Sequence, residues 1–225
     1  MPENGDVNDP YEQFNRGTHE FNKSVDRAVL RPVAVTYSNA MPDEVEEIVS
    51  NFVRNLSTPG DIVNQVLQGD FENALKNTVR FALNTTMGLG GIADPAGGAG
   101  IDGGETDFGE TLHVWGVREG AYVELPVLGP STERAAFGRL VDFFMDPVGN
   151  VLGPTEQTYA TVAKGADLLS SRGQFAGTID ALLYESADSY AQSRLMYLQN
   201  RRFKLGTPDD SEGDYFDPYD DPYAE

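Results

Sequence analysis

The chain has 225 residues, 40% hydrophobic and 10% aromatic, enough for a packed core in one domain or two small ones. It carries 16 Lys and Arg against 36 Asp and Glu, a formal net charge of -20, and no cysteine. That balance repels phosphate backbones and argues against nucleic acid; the missing thiols exclude disulfides, thiolate zinc sites and cysteine nucleophiles.

Met1 is followed by the polar "PENGDVNDP", with no apolar leader, which reads as a cytoplasmic protein or a mature segment. No apolar run approaches the roughly 18 residues of a membrane span. Residues 1–8 read as a flexible leader. A helix is predicted next, with Asp9 as N-cap, Pro10 at its first position and Phe14, Phe21, Val25, Ala28 and Val29 near one side. The clearest helix covers 42–56. Val45, Ile48, Val49, Phe52, Val53 and Leu56 share one face, and Glu44, Glu46, Glu47 and Arg54 take the other. Pro59 and Gly60 are expected to break it, with a short helix carrying Ile62, Val63, Val66 and Leu67 beyond. Asp70 is placed to cap a further helix to Asn84, with Phe71, Leu75, Val79, Ala82 and Leu83 on one side.

The segment 87–104 holds eight glycines, beginning "MGLGGIADPAGGAG". A long structureless connector is uncommon in a helical protein unless it has a function. A phosphate-binding loop would need a preceding strand and a closing Gly-Lys-Ser/Thr; this one follows a helix and runs into Ile-Ala-Asp. Asn84-Thr85-Thr86 fits a glycosylation sequon, but its place at a helix end favours a C-terminal cap and turn. Glu110 and His113 have a metal-site spacing, yet such sites need a second copy, and His19 has no Glu three residues before it. With two histidines, no cysteine and no Gly-x-Ser-x-Gly elbow, no catalytic set can be assembled, and no metal or other cofactor is expected.

"DFGETLHVW" resumes a helical or turn-like pattern. "AYVELPVL" at 121–128 is the one convincing extended piece, an edge because of Pro126. A helix capped by Ser131 or Thr132 follows, then another after Pro154, then one long helical pattern from Gln174 to Lys204. The tail 206–225 is acidic and reads as disordered. The expected fold is all-α: amphipathic helices over 9–205, a glycine-rich connector and at most one short extended segment. Wide apolar faces can be buried against each other, or can embed the protein sideways in a membrane by apolar contact.

Several stretches carry a resemblance: "DPYEQFNR" (9–16), "LRPVA" (30–34), "NFVRNL" (51–56), "LQGD" (67–70), "RFALNTTMGLGG" (80–91), "DFGETLHVWGV" (107–117) and "LPVLGPST" (125–132). In this order and spacing they resemble the MlaA (VacJ) family of bacterial outer-membrane lipoproteins. The resemblance implies a ring of helices in the inner leaflet of the outer membrane, around an amphipathic channel. Phospholipids that have strayed into the outer leaflet would pass through it to a periplasmic lipid-carrier protein, and the ring would sit against a trimeric porin. It implies no catalysis and no cofactor. The family's signal peptide and lipidated cysteine have no counterpart here, Ala121 stands where Pro is usual, and Ala135 stands where Asp is common. On this reading Phe14, Phe21, Asn22, Asn84, Gly88, Gly90, Gly91, Ile92 and Ile101 are the expected channel or gate residues, Asn15 joins the first group near the lumen or lipid-facing rim, and 87–104 is the mobile element. The rival reading is a peripheral helical scaffold or binding protein of the periplasm.

Overall fold

The computed structural model describes residues 7–206. Helix α1 (Glu12–Val25) runs through a π-helical turn (Asp26–Leu30) into α2 (Arg31–Ala40). Next come α3 (Asp43–Gln68), α4 (Phe71–Thr86), α5 (Pro95–Gly98) and α6 (Phe108–Val114). A hairpin of β1 (Tyr122–Leu125) and β2 (Gly129–Thr132) precedes α7 (Glu133–Met145), α8 (Pro147–Val151), α9 (Pro154–Gln174) and α10 (Ala176–Asp180). A second π-helical turn (Ala181–Glu185) and α11 (Ser189–Lys204) complete the described chain. The expected tail lies outside the described residues, apart from Gly206, and so does the leader as far as residue 6.

Side chains fix where most helices begin. Asp70, Asp94, Asp107, Thr132, Asp146 and Asp188 each accept a hydrogen bond from a backbone N–H two or three residues on, satisfying a donor that the helix itself leaves free. Asp9 is not among them. Helix α1 starts two residues after Pro10, and Asp9 instead accepts from Asn15 Nδ2 at 2.8 Å, Arg194 Nη1 at 2.5 Å and the Tyr190 hydroxyl. Residues 7 and 8 belong to the fold: the Asn8 carbonyl accepts from Tyr122 N, and Val7 packs on the cluster of Tyr122, Tyr190 and Leu198.

Three elements differ from the sequence expectation. Helix α3 continues through Pro59 for 26 residues. The proline cannot donate to the Asn55 carbonyl. The Ser57 and Thr58 hydroxyls donate to the Val53 and Arg54 carbonyls one turn earlier, and the helix is held across the proline by its packing on neighbouring helices. The extended piece has a partner: β1 and β2 pair antiparallel, Tyr122 opposite Thr132 and Leu125 opposite Gly129, so there are two short strands. The long C-terminal pattern is interrupted at Ser186–Asp188, where Ser186 is extended and Asp188 caps a new helix.

The packing closes on itself. Helix α3 packs on α4, α6, α8 and α9; α9 packs on α2, which continues back to α1. Helix α1 packs on β1, the hairpin on α7, α7 on α6, and α6 again on α3. This circuit is a ring of helices. Arg172 of α9 clasps it at one point, with Nε and Nη2 each 2.8 Å from an Asp26 oxygen in the first π-helical turn and Nη2 also 2.8 Å from Asp180.

Burial is inverted relative to a water-soluble helical bundle. Among the described residues eight hydrophobic side chains are buried, against twenty-two polar or charged ones. The buried positions keep helical spacing but carry polar groups: Asn15, Thr18, His19 on α1; Asn55, Thr58, Asp61, Gln65 on α3; Asn77, Arg80, Asn84 on α4. The apolar stripes read from the sequence are real, but they point outward. Phe14 is 70% exposed and Phe71 68%, with Phe21, Val45, Ile48 and Leu75 also exposed. The apolar faces are therefore left for an environment other than water, and the polar faces satisfy one another inside.

Candidate functional site

The glycine-rich segment is fastened from below by polar side chains of α3 and α4. Asn84, expected as a helix cap, is buried; its amide donates to Asp94 at 2.8 Å and accepts from Ala96 N at 3.1 Å. Arg80 donates to Asp94 and, at 2.9 Å, to the Ile101 carbonyl. Burial alone would raise the Asp94 pKa, but bonds from Gly97, Asn84 and Arg80 outweigh it and hold the carboxyl below its ordinary value. Gln65 and Asn77 donate to the carbonyls of Gly103 and Gly104 at 2.7 and 2.9 Å. The segment from Asp94 to Gly104 is thus tied down by its neighbours.

The Met87–Ile92 turn above it is different. Leu89, Gly90 and Gly91 all have positive φ, and Met87, Leu89 and Ile92 expose their side chains. Gly88 and Gly91 are buried: a Cβ on Gly88 would lie 2.4 Å from the Ala93 carbonyl oxygen, and one on Gly91 would lie 2.5 Å from Asn55 Cβ. Asn55 in turn donates to the Gly90 carbonyl at 3.2 Å. Ile101 is half-buried.

At the other side of the ring, Phe14 and Phe21 point outward from α1 while Asn15 and Asn22 point to the hairpin. Asn22 donates to Leu125 O at 3.0 Å and accepts from Val127 N at 2.7 Å, standing in for a strand partner at the turn. Val127 has φ of 67° and, with Leu128, forms an exposed apolar tip. The expected site residues therefore form two separate groups, one at the glycine turn and one at α1 with the hairpin.

The volume lies elsewhere. A cleft of about 350 Å³ opens between α3, the segment before α6, the C-terminal half of α7 and the middle of α9, lined by Leu56, Asp61, Arg139, Asp142, Phe143 and Lys164 among others. A second of about 560 Å³ adjoins it, sharing Leu56, Phe143, Asp146 and Lys164 and adding Phe144, Val148 and Leu152. The two adjoin along Leu56, Phe143, Asp146 and Lys164, so an ion pair stands at their junction and the walls mix polar and apolar groups, the first carrying more charge and the second more apolar surface. Asp61 accepts from Thr106 N at 3.1 Å; its burial, reinforced by Glu105 and Asp142, pushes its pKa up to about 7 against the pull of Thr106 and Arg54. Sequence reading missed these residues. Asp61, Arg139 and Lys164 come from three distant helices, and the available hint was "DFFMD" at 142–146, two adjacent phenylalanines that no single buried face could take.

A serine–histidine–carboxylate row is also present. His19 Nε2 lies 3.1 Å from Ser189 Oγ and Nδ1 lies 3.4 Å from Glu124 Oε1, with the Tyr122 hydroxyl donating to the same carboxylate. All three side chains are buried and none lines the clefts described above, so the row acts as a bonded knot between α1, β1 and α11. Among the described residues no group of His, Asp and Glu is arranged to hold a metal ion, and no helix is long and apolar enough to cross a membrane. His113 sits beside Arg134, 3.3 Å from its Nη1.

A family model described as MlaA lipoprotein matches residues 7–204. The chain is 37% identical over 202 residues to an Escherichia coli protein named intermembrane phospholipid transport system lipoprotein MlaA, covering 87% of this chain and 77% of that one. A Haemophilus influenzae protein of the same name is 34% identical over 203 residues, 88% of this chain and 79% of that one. A Rickettsia felis protein is 42% identical over 134 residues, 59% of this chain; the match spans about half of that relative's length (53%). In three dimensions the chain resembles a solved structure described as "Structural basis for maintenance of bacterial outer membrane lipid asymmetry", with TM-score 0.73 and 34% identity over 88% of this chain and 98% of that one.

Proposed function

Given that this chain belongs to the MlaA lipoprotein family, we propose that it is a phospholipid channel at the inner leaflet of the outer membrane, removing phospholipid misplaced in the outer leaflet and passing it on at the periplasmic face. The observation that carries this reading is the inverted burial: a closed ring with polar side chains inside and apolar ones outside. Such a body is stable sideways in a leaflet, where the apolar belt replaces lipid contacts, and its interior offers a path for a headgroup. The amphipathic clefts between α3, α7, α8 and α9 match a molecule that is charged at one end and apolar at the other.

In this reading Phe14, Phe21 and Ile92 form part of the lipid-facing rim, while Asn22 and Asn84 hold the hairpin and the glycine segment in place around the path. Motion is assigned to the exposed face of the Met87–Ile92 turn, Met87, Leu89 and Ile92, which would pivot about Gly88, Gly90 and Gly91; the turn is anchored by fewer side chains than the segment beyond it, which is tied, Ile101 included, to α3 and α4. A trimeric porin beside the ring and a periplasmic lipid carrier below it complete the proposed route.

The purified chain should bind phospholipid bilayers and stay bound in 1 M salt (about 3 Å screening length), because a negatively charged protein must owe its affinity to apolar contact. It should also retain phospholipid in detergent. A chain that is monodisperse without detergent and free of lipid is instead a peripheral scaffold of the periplasm.

A further inference from the structure

We propose that the cleft between α3, α7 and α9 selects phospholipids whose headgroup joins a phosphate to a primary ammonium, phosphatidylethanolamine being the type, over anionic and choline headgroups. This rests on the transport reading above and names the substrate class of that path.

The argument begins with charge. Two cationic side chains, Arg139 and Lys164, and three carboxylates, Asp61, Asp142 and Asp146, line the same 350 Å³ space. Lys164 Nζ stands 3.8 Å from Asp146 Oδ2, so opposite charges already meet at the spacing of a phosphate and its ammonium neighbour. An anionic headgroup would find a site for its phosphate and then face an excess of carboxylates with nothing to offer them. A zwitterion satisfies both signs.

Hydrogen-bond chemistry separates the two zwitterions. A primary ammonium donates three hydrogen bonds, as a lysine does. A choline donates none and is bulkier. Asp142 keeps its donors Asn64 Nδ2 and Phe108 N, and Asp61 keeps Thr106 N, but the remaining lone pairs of these carboxylates lose water to a choline and gain no replacement donor. The source of the headgroup follows from the wall. Leu56 and Phe143 line both spaces, and the second continues over Phe144, Val148 and Leu152. A soluble phosphoester would leave that wall uncovered, whereas the glycerol ester and the start of the acyl chains cover it.

The test uses the full chain at pH 8.5, where Asp61 is ionised, in uncharged detergent with equal amounts of phosphatidylethanolamine, phosphatidylglycerol and phosphatidylcholine, the retained lipid being quantified by class. Lys164→Gln alters a half-exposed side chain, so lipid lost in that variant is cleft lipid, as opposed to lipid on the outer belt. Asp61→Asn keeps the oxygen that accepts from Thr106 N. We expect the cleft lipid to be enriched at least threefold in phosphatidylethanolamine, and Asp61→Asn to bring that ratio close to one in a protein of unchanged helicity. A hundredfold excess of glycerophosphoethanolamine should leave the lipid in place. Equal representation of the three classes, or a ratio that Asp61→Asn does not move, overturns the selectivity and leaves the transport reading standing. Displacement by the soluble phosphoester overturns the lipid as occupant. A wild-type chain that retains no phospholipid at all removes the transport reading itself.

Discussion

Asp61 gives a stability experiment whose sign is set by the structure. Its carboxyl is buried on α3, with one backbone bond from Thr106 and with Glu105 and Asp142 as like charges nearby, and its pKa is pushed from an ordinary 3.8 to about 7. Between those values the folded chain holds a proton that the unfolded chain has released. Stability from this residue is therefore fully present below pH 4, declines between pH 4 and 7, and levels off above 7. The gap between 3.8 and about 7 corresponds to roughly 4 kcal/mol as a ceiling. Asn at this position keeps the acceptor and removes the charge. Asp61→Asn should match wild type at pH 4 and be more stable at pH 8.5, with a melting temperature higher by about 8 °C or more at the full effect. Circular dichroism melts in uncharged detergent from pH 4 to 9 measure it. A difference that does not change with pH, or a variant less stable at pH 8.5, would show that the carboxylate is stabilised where it lies. A chain that keeps a charge at a cost in stability is expected to use it, which is why the same substitution appears in the lipid test.

Two further outcomes follow from the packing. Gly90→Ala should cost about 1 kcal/mol, since φ is +81° but the space around it is open, whereas Gly91→Ala adds a Cβ 2.5 Å from that of Asn55 and should cost about 3 kcal/mol. Equal costs in denaturant titration would mean that the turn relaxes away from α3. Arg172→Ala leaves Asp26 buried without its bidentate partner and should destabilise by about 3–5 kcal/mol, with part of the loss recovered by adding Asp26→Asn. A loss under about 1 kcal/mol would remove this ion pair as the clasp of the ring.

The helices were legible because their period is carried by side chains whichever way they face. Phe71, Leu75 and Val79 mark one side of α4 whether that side meets protein or lipid. What periodicity does not give is the direction. The polar stripe Asn77, Arg80, Asn84 reads as a solvated face until its partners, Asp94 and the carbonyls of Ile101 and Gly104, are known to be folded over it. Caps at Asp70 and Thr132 were readable because the capping bond is local. Asp9 failed as a cap because its bonds to Tyr190 and Arg194 cross more than 180 residues. Pro59 misled for the opposite reason: a proline removes one helical bond, at the Asn55 carbonyl, and α3 is held on both sides of it by packing on α4, α6, α8 and α9 that the local sequence does not show. The cleft was out of reach because its charges converge only after α3, α7 and α9 pack.

The central claim is that phospholipid leaves the outer leaflet through this interior. The chain has no cysteine, so a single one can be placed at will. Lys164→Cys puts it in the cleft wall and Glu72→Cys puts it on the exposed outside of α4. In cells that depend on this chain, each variant is capped with a polar maleimide, and outer-leaflet phospholipid is then measured with an impermeant amine-reactive probe. The account predicts that capping at 164 raises outer-leaflet phospholipid to the level of cells lacking the protein, while capping at 72 changes nothing. Clearance at the uncapped rate with position 164 fully capped would contradict it.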